Sequence, residues 1–209
     1  MLQLYFSPMA CSLASRIALM EAGIEARYHL VHLRTKTIME NDSDFREVSP
    51  KGAVPVLVLE NGERLSESAA VLQYIADLKP ELALAPPAGH PDRYRLQEWL
   101  SFVGTEVHKA FLFPTFRYRD DAAKASARER IGGTLAIAAE HLAGREFLVG
   151  NRFTVADAHL TWALLLLGRA GVDVAQWPAL VDYRARMQAR PQVKAAIDTE
   201  IQIWKAINA

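Results

Sequence analysis

The periodicity of this chain changes once, and it changes at a proline cluster. Lys79 to Pro91 holds Pro80, Pro86, Pro87, Gly89 and Pro91. Before the cluster, period-two and helical patterns alternate; after it, every apolar repeat has helical spacing. That break predicts a small α/β domain over residues 1–79, a linker over 80–91 and an all-helical domain over 92–209.

Within the first part, Leu2, Leu4 and Phe6 predict a strand. Leu13, Ile17 and Met20 predict a helix that Gly23 stops. Tyr28 to Leu33 reads as a second strand and Asp44 to Val48 as a short helical piece. Val54 to Leu59, nearly all apolar, suits a strand buried on both faces. Asn61-Gly62 is a two-residue hairpin signal that pairs Arg64-Leu65 antiparallel to it. Ser66 or Glu67 then opens a helix to Leu78, which completes the order β-α-β-α-β-β-α. Past the linker, Asp92 is expected to cap a long helix through Leu96, Trp99, Leu100, Val103 and Val107, ending near Pro114. A second long helix covers about residues 122–142, and Pro178 and Pro191 each begin a further one. Thr154 and Asp157 form a capping box at the start of a very apolar helix. Loss of that cap through Asp157→Ala should cost about 1 kcal/mol.

Composition narrows the function classes. With 51% hydrophobic and 23% charged residues the chain is ordinary globular material. A formal net charge of zero gives no basic surface for nucleic acid or an anionic membrane. One cysteine excludes a disulfide framework and fits a reducing compartment. Leu2 to Phe6 follows the start with no basic segment and no long apolar core, so no signal peptide is read, and the expected address is the cytoplasm. The six histidines are scattered at spacings that suit no metal site.

That cysteine, Cys11, lies in Ser7-Pro8-Met9-Ala10-Cys11-Ser12, between the first strand and the first helix. Backbone N–H groups at a helix start lower a thiol's pKa and favour the thiolate. A buried cysteine is also a small hydrophobe, so position alone leaves reactive and structural roles open. If Cys11 does redox chemistry, the second sulfur must come from another molecule, most simply a small thiol. Ser12 is either a hydroxyl able to activate such a thiol or a plain helix cap.

Two further motifs bear on a peptide-like ligand. Val54-Pro55 puts a proline at the edge of a buried strand, where it removes a ladder donor. A cis-proline turn there would leave the Val54 N–H and C=O free to pair with an extended peptide. Glu67-Ser68 lies where a strand turns into a helix, a place that can hold a carboxylate as well as cap the helix.

In this order and spacing the motifs resemble the cytosolic glutathione S-transferases, most of all the bacterial beta class. The resemblance rests on Ser7-Pro8 through Cys11-Ser12, Pro50-Lys51-Gly52-Ala53-Val54-Pro55 and Asn61-Gly62 with Leu65-Ser66-Glu67-Ser68. In the second domain it rests on Glu98-Trp99-Leu100, Glu106-Val107-His108-Lys109 and Phe153-Thr154-Val155-Ala156-Asp157. It implies a thioredoxin-like first domain, a helical second domain and a homodimer, with glutathione as co-substrate and no cofactor or metal. It also implies roles for single residues. Cys11 faces the glutathione sulfur and can form a mixed disulfide with it. Val54, before Pro55, pairs with the cysteinyl part; Glu67 and Ser68 hold the γ-glutamyl part. Lys36 lies near the glycyl carboxylate, and His108, with Lys109 beside it, points to the thiol. Three positions depart from the pattern: Met9 stands where many relatives have glycine, Ser15 replaces a common proline, and Ser101 stands where some present asparagine to the other subunit.

The expected function is therefore conjugation of glutathione to hydrophobic electrophiles, with thiol exchange or peroxide reduction through Cys11 as a side activity. Two alternatives are a non-enzymatic binding scaffold of the same fold and a specialised glutathione-dependent lyase, isomerase or dehalogenase. Tyr5 is a candidate thiol-activating phenol or a packing residue. Met9, Phe113 and Phe116, with Tyr118 near Pro114, are the candidates for an electrophile pocket alongside Tyr5.

Overall fold

A computed structural model describes residues 1–117 and 120–208. The chain divides into two compact units, Met1–Leu82 with Pro191–Ala209, and Ala83–Arg190. The closing helix is thus grouped with the first unit, a partnership that periodicity along one segment does not reveal.

The first unit is built on a six-stranded sheet, ordered β4-β3-β2-β1-β5-β6. Strand β1 (Leu2–Phe6) pairs parallel with β2 (Ala26–His32) and antiparallel with β5 (Val56–Val58). Helix α1 (Ser12–Glu21) makes the crossover that a parallel pair requires. Gly23, at φ +60, ends that helical segment as expected. Strand β5 pairs with β6 (Arg64–Ser66), which leads into α2 (Ser68–Asp77). Leu2, Leu4 and Phe6 are buried on one face of β1. The rest of this unit's core includes a cluster of Val31, Ile38, Phe45, Val54 and Val56, against which Tyr5, Ala10, Leu33 and Val48 pack. Helix α8 (Pro191–Ile207) packs on α1, and eight successive residues of α1, Ser12 to Leu19, are buried.

Four local expectations change. The hairpin has a three-residue loop: Gly62 N–H donates to Leu59 C=O at 3.0 Å, Leu59 N–H to Glu63 C=O at 2.8 Å, and Gly62 has φ +86. A type I turn closed by a left-handed glycine matches the strand twist as well as a two-residue turn does. The Asp44–Val48 helix is one 3₁₀ turn, Phe45–Glu47, which Asp44 caps through Arg46 N–H at 2.8 Å. Two short strands precede it, β3 (Thr37–Ile38) and β4 (Ser43–Asp44), too brief to leave an alternating pattern. The buried strand expected over Val54–Leu59 is ladder-paired only over Val56–Val58.

In the second unit, α3 (Pro91–Phe102) is capped by His90, whose Nδ1 accepts from Asp92 N–H at 3.1 Å; Asp92 is not the cap. The helix does not end near Pro114. It widens to π geometry over Val103–Leu112 and continues as α4 (Phe113–Arg117). A π segment accommodates a residue that has no N–H to give to the α ladder. Next come α5 (Asp121–Leu142), α6 (Val155–Leu166) and α7 (Pro178–Ala189). Eleven of the twelve residues of α6 are buried, as its unbroken apolar pattern requires. Its capping box is present, with Asp157 accepting from Thr154 N–H at 2.8 Å.

Candidate active site

Cys11 is the cap residue of α1 and is 7% exposed. Its thiol donates to the Val54 carbonyl at 3.1 Å, and the Val54–Pro55 bond is cis. The expectation that both backbone groups of Val54 stay unpaired is therefore corrected for the carbonyl, which accepts from the thiol.

The loop before Cys11 is tied down at three points. Ala10 N–H donates to Ser7 C=O at 3.0 Å. The Ser12 hydroxyl, fully buried, donates to Ser7 C=O and accepts from Ser7 N–H, both at 3.2 Å. Met9 has φ +62, a left-handed conformation that glycine adopts freely and methionine does not. Its N–H donates to Glu200 Oε2 at 2.8 Å. Met9 thus holds a glycine-like backbone, and a carboxylate accepts from its N–H.

Glu200 was not legible as a site residue. It lies on α8, is fully buried, and receives the Arg16 Nε at 3.0 Å on its other oxygen. Arg16, on α1, lies with its guanidinium carbon 4.5 Å from the Phe6 ring centre and 3.8 Å from that of Tyr28. Burial pushes the Glu200 carboxyl up to about 7, against the pull of Arg16 and the Met9 N–H. A signal was present: Val193, Ala196, Ile197 and Glu200 share a helical stripe, as do Leu13, Arg16 and Ile17. Opposite charges on two apolar stripes are candidates for pairing, because buried charges are rarely left alone.

The first unit also holds the other expected residues. Lys36, itself at φ +62, donates from Nζ to Gly52 C=O at 2.6 Å. Gly52 has φ +57, and a Cβ there would meet the Lys36 side chain at 3.1 Å, so the lysine lies across the glycine. Val56, the residue after Pro55, pairs with Ser66, the residue before Glu67. Glu67 has φ +72 at the start of α2, and its carboxylate pairs with Lys51 at 2.7 Å; both side chains are exposed. Ser68 is the first residue of α2. Tyr5 packs, with its ring stacked on His29 at 4.6 Å and on Phe45 at 5.7 Å.

The remaining candidates belong to the second unit. His108 lies in the π segment, half-buried, with its ring 4.8 Å from Trp162 in an edge-on contact. Lys109 is exposed, its Nζ 5.0 Å from the Phe113 ring. Phe113 is half-buried and Phe116 is 46% exposed. Tyr118 lies outside the described residues. Among the described residues no group of His, Cys, Asp and Glu has the geometry of a metal site, and no helix is long and apolar enough to cross a membrane.

Comparison with known proteins bears on the whole chain. Residues 8–78 match the glutathione S-transferase N-terminal domain, and residues 102–191 the C-terminal domain. The chain is 36% identical to glutathione S-transferase GstA of Escherichia coli O157:H7, over 95% of this chain and 98% of that protein. It is 45% identical to a sphingomonad glutathione S-transferase solved in complex with glutathione, with a TM-score of 0.90, over 95% of this chain and 98% of the other. The beta-class glutathione S-transferase of Sphingomonas chungbukensis matches at 42% identity and a TM-score of 0.90, with the same coverage. A thioredoxin-like sheet with its helices, a helical second unit, and matches in both domains across nearly all of the sequence together establish that the chain belongs to the glutathione S-transferase family.

Proposed function

We propose that in this glutathione S-transferase Cys11 faces the sulfur of bound glutathione and exchanges with it, while the enzyme conjugates glutathione to small hydrophobic electrophiles. The observation that carries the reading is the placement of Cys11 at the start of α1, with its sulfur 3.1 Å from the Val54 carbonyl. The N–H groups of the first helical turn favour a thiolate, while the Val54 carbonyl accepts from the protonated thiol and so holds it until the proton leaves. Val54 is the backbone position assigned to the cysteinyl part of the ligand, so ligand sulfur and protein sulfur are brought to one place.

In the exchange step, the Cys11 thiolate attacks one sulfur of glutathione disulfide. The protein–glutathione disulfide forms as the old S–S bond breaks, and one glutathione thiolate leaves. A second glutathione thiolate then attacks the glutathione sulfur of the mixed disulfide, releasing Cys11 as thiolate and regenerating glutathione disulfide.

Glu67 and Ser68 are assigned to the γ-glutamyl part and Lys36 to the glycyl carboxylate. His108 and Lys109 are assigned to the thiol from the helical unit. Ser12, with its hydroxyl engaged by Ser7, is assigned to loop support. Met9, Phe113 and Phe116 are assigned to the electrophile, and Tyr5 to packing beneath it. We further assign the working form as a cytoplasmic homodimer.

Calorimetry with glutathione, followed by intact mass after exposure to glutathione disulfide, tests the reading. The expected result is micromolar to millimolar binding and a gain of one glutathione that Cys11→Ala lacks while still binding glutathione. Binding without the adduct overturns the covalent role of Cys11; no binding overturns the enzyme reading. His108→Ala is expected to lower turnover, and unchanged kinetics would remove His108 from the site.

A further inference from the structure

The loop that carries Cys11 is held from a distant part of the sequence. Met9 is 191 positions from Glu200, yet its N–H donates to Oε2 at 2.8 Å, and Arg16 of the cysteine's own helix meets Oε1 at 3.0 Å. One buried carboxylate therefore grips the loop on one side of Cys11 and the helix on the other. Both partners are donors, so the grip needs two accepting oxygens. A proton on either oxygen faces a donor and costs one of the two bonds. Loss of the Glu200 bond leaves the left-handed Met9 backbone, which costs a non-glycine residue free energy, with less support: the Ser7–Ala10 turn still closes over it, but the carboxylate that fixed its N–H is gone.

From this geometry we infer that Glu200 is a positioning residue for Cys11: its carboxylate fixes the Met9 backbone and the α1 start, and its protonation releases the thiol from the Val54 carbonyl. The inference rests on Cys11 as the reacting thiol. Among the described residues, the titratable and charged groups that act on Glu200 are Arg16 from α1 and Tyr28 from β2. Burial pushes the Tyr28 phenol up, so it stays neutral. Glu200, pushed up to about 7, is the member of the set that titrates across neutrality.

The test uses Cys11 alkylation by iodoacetamide, which needs no glutathione, in wild type and Glu200→Gln from pH 6 to pH 8.5. Glutamine is locked in the one-acceptor state. At pH 8.5 the variant is expected to be alkylated about fivefold faster, because its loop is loose while the wild-type loop is held. The ratio should fall towards one near pH 6, where the wild-type carboxyl is protonated too, with a midpoint near 7. A ratio that stays constant with pH means mere structural damage and overturns the inference. Adding Met9→Gly, for which a positive φ carries no steric penalty, should bring Glu200→Gln back towards the wild-type rate; no rescue overturns the link through Met9. If Glu200→Gln fails to fold, the Met9 amide shift of wild-type protein labelled at its methionines decides the matter. It should titrate with the same midpoint, and a flat shift overturns the inference. A normal Met9 titration in a protein that forms no glutathione adduct would instead overturn the role of Cys11 and leave the Glu200 contact standing.

Discussion

At the scale of single residues, burial without a partner is the sharpest source of predictions. The Ser15 hydroxyl is fully buried inside α1 and has no hydrogen-bond partner among the described residues. Burying a hydroxyl unpaired costs about 1–3 kcal/mol, and serine is a poorer helix former than alanine. Ser15→Ala is therefore expected to stabilise the protein by about 1 kcal/mol, read as a higher urea midpoint at unchanged slope. A lower midpoint would mean that the hydroxyl has an unrecognised partner. Cys11, Val54, Glu67 and Ser68 could be named as candidates from sequence because their motifs are local. Arg16 and Glu200 could not be joined, because their pairing spans 184 positions and exists only once α8 lies on α1. The left-handed backbone of Met9 was equally hidden, since methionine carries no turn signal of the kind glycine does.

At the scale of elements, the start of α6 shows how a local motif becomes a tertiary one. The capping box alone was worth about 1 kcal/mol. The folded unit adds two donors to the same carboxylate: Leu148 N–H at 2.9 Å and the Tyr183 hydroxyl at 2.8 Å. The Thr154 hydroxyl donates as well, at 2.9 Å. Burial pushes the Asp157 carboxyl up, and these four donors pull against it. Asp157→Ala orphans all of them in a fully buried place, so the expected loss is about 4 kcal/mol rather than about 1. Urea unfolding measures it, and a loss near 1 kcal/mol would show that the added donors contribute little. The helix itself was legible from Thr154 to Asp157 because its pattern is sequential. The π segment was not, because Pro114 signals a break and carries no information on whether the helix stops or widens.

At the scale of the whole chain, two buried ionisable groups respond to pH in opposite senses, one in each unit. Glu200 belongs to the first unit and is pushed up to about 7 from 4.5. Its folded form binds the proton more tightly than the unfolded chain does. That contribution is therefore complete below pH 4.5 and is lost as pH rises through 7. His159 belongs to the second unit, where burial and the nearby His108 push it down to about 3 from 6.5. Neither of its ring nitrogens has a partner among the described residues. Its contribution is complete above pH 6.5 and is lost as pH falls towards 3. Acidification from pH 7 to pH 5 should accordingly stabilise the first unit through Glu200 and remove the His159 contribution from the second, where Asp157, also pushed up by burial, acts in the opposite sense. Each titrating proton changes stability by at most about 1.4 kcal/mol per pH unit. Amide hydrogen exchange resolves the two, once rates are corrected for the intrinsic pH dependence. Protection in α8 and in α1 beyond its first turn should rise at pH 5, while protection in α6 should fall relative to a His159→Leu variant, which lacks the titrating ring. Glu200→Gln should abolish the first change and leave the second intact. Parallel changes in both units would show that these two groups do not govern the response. The opposition also bears on the thiol: the ionised Glu200 that holds the Cys11 loop is the less stable form of its unit. Precise placement of the thiol at neutral and higher pH is thus obtained at some expense of stability, a trade that active sites commonly make.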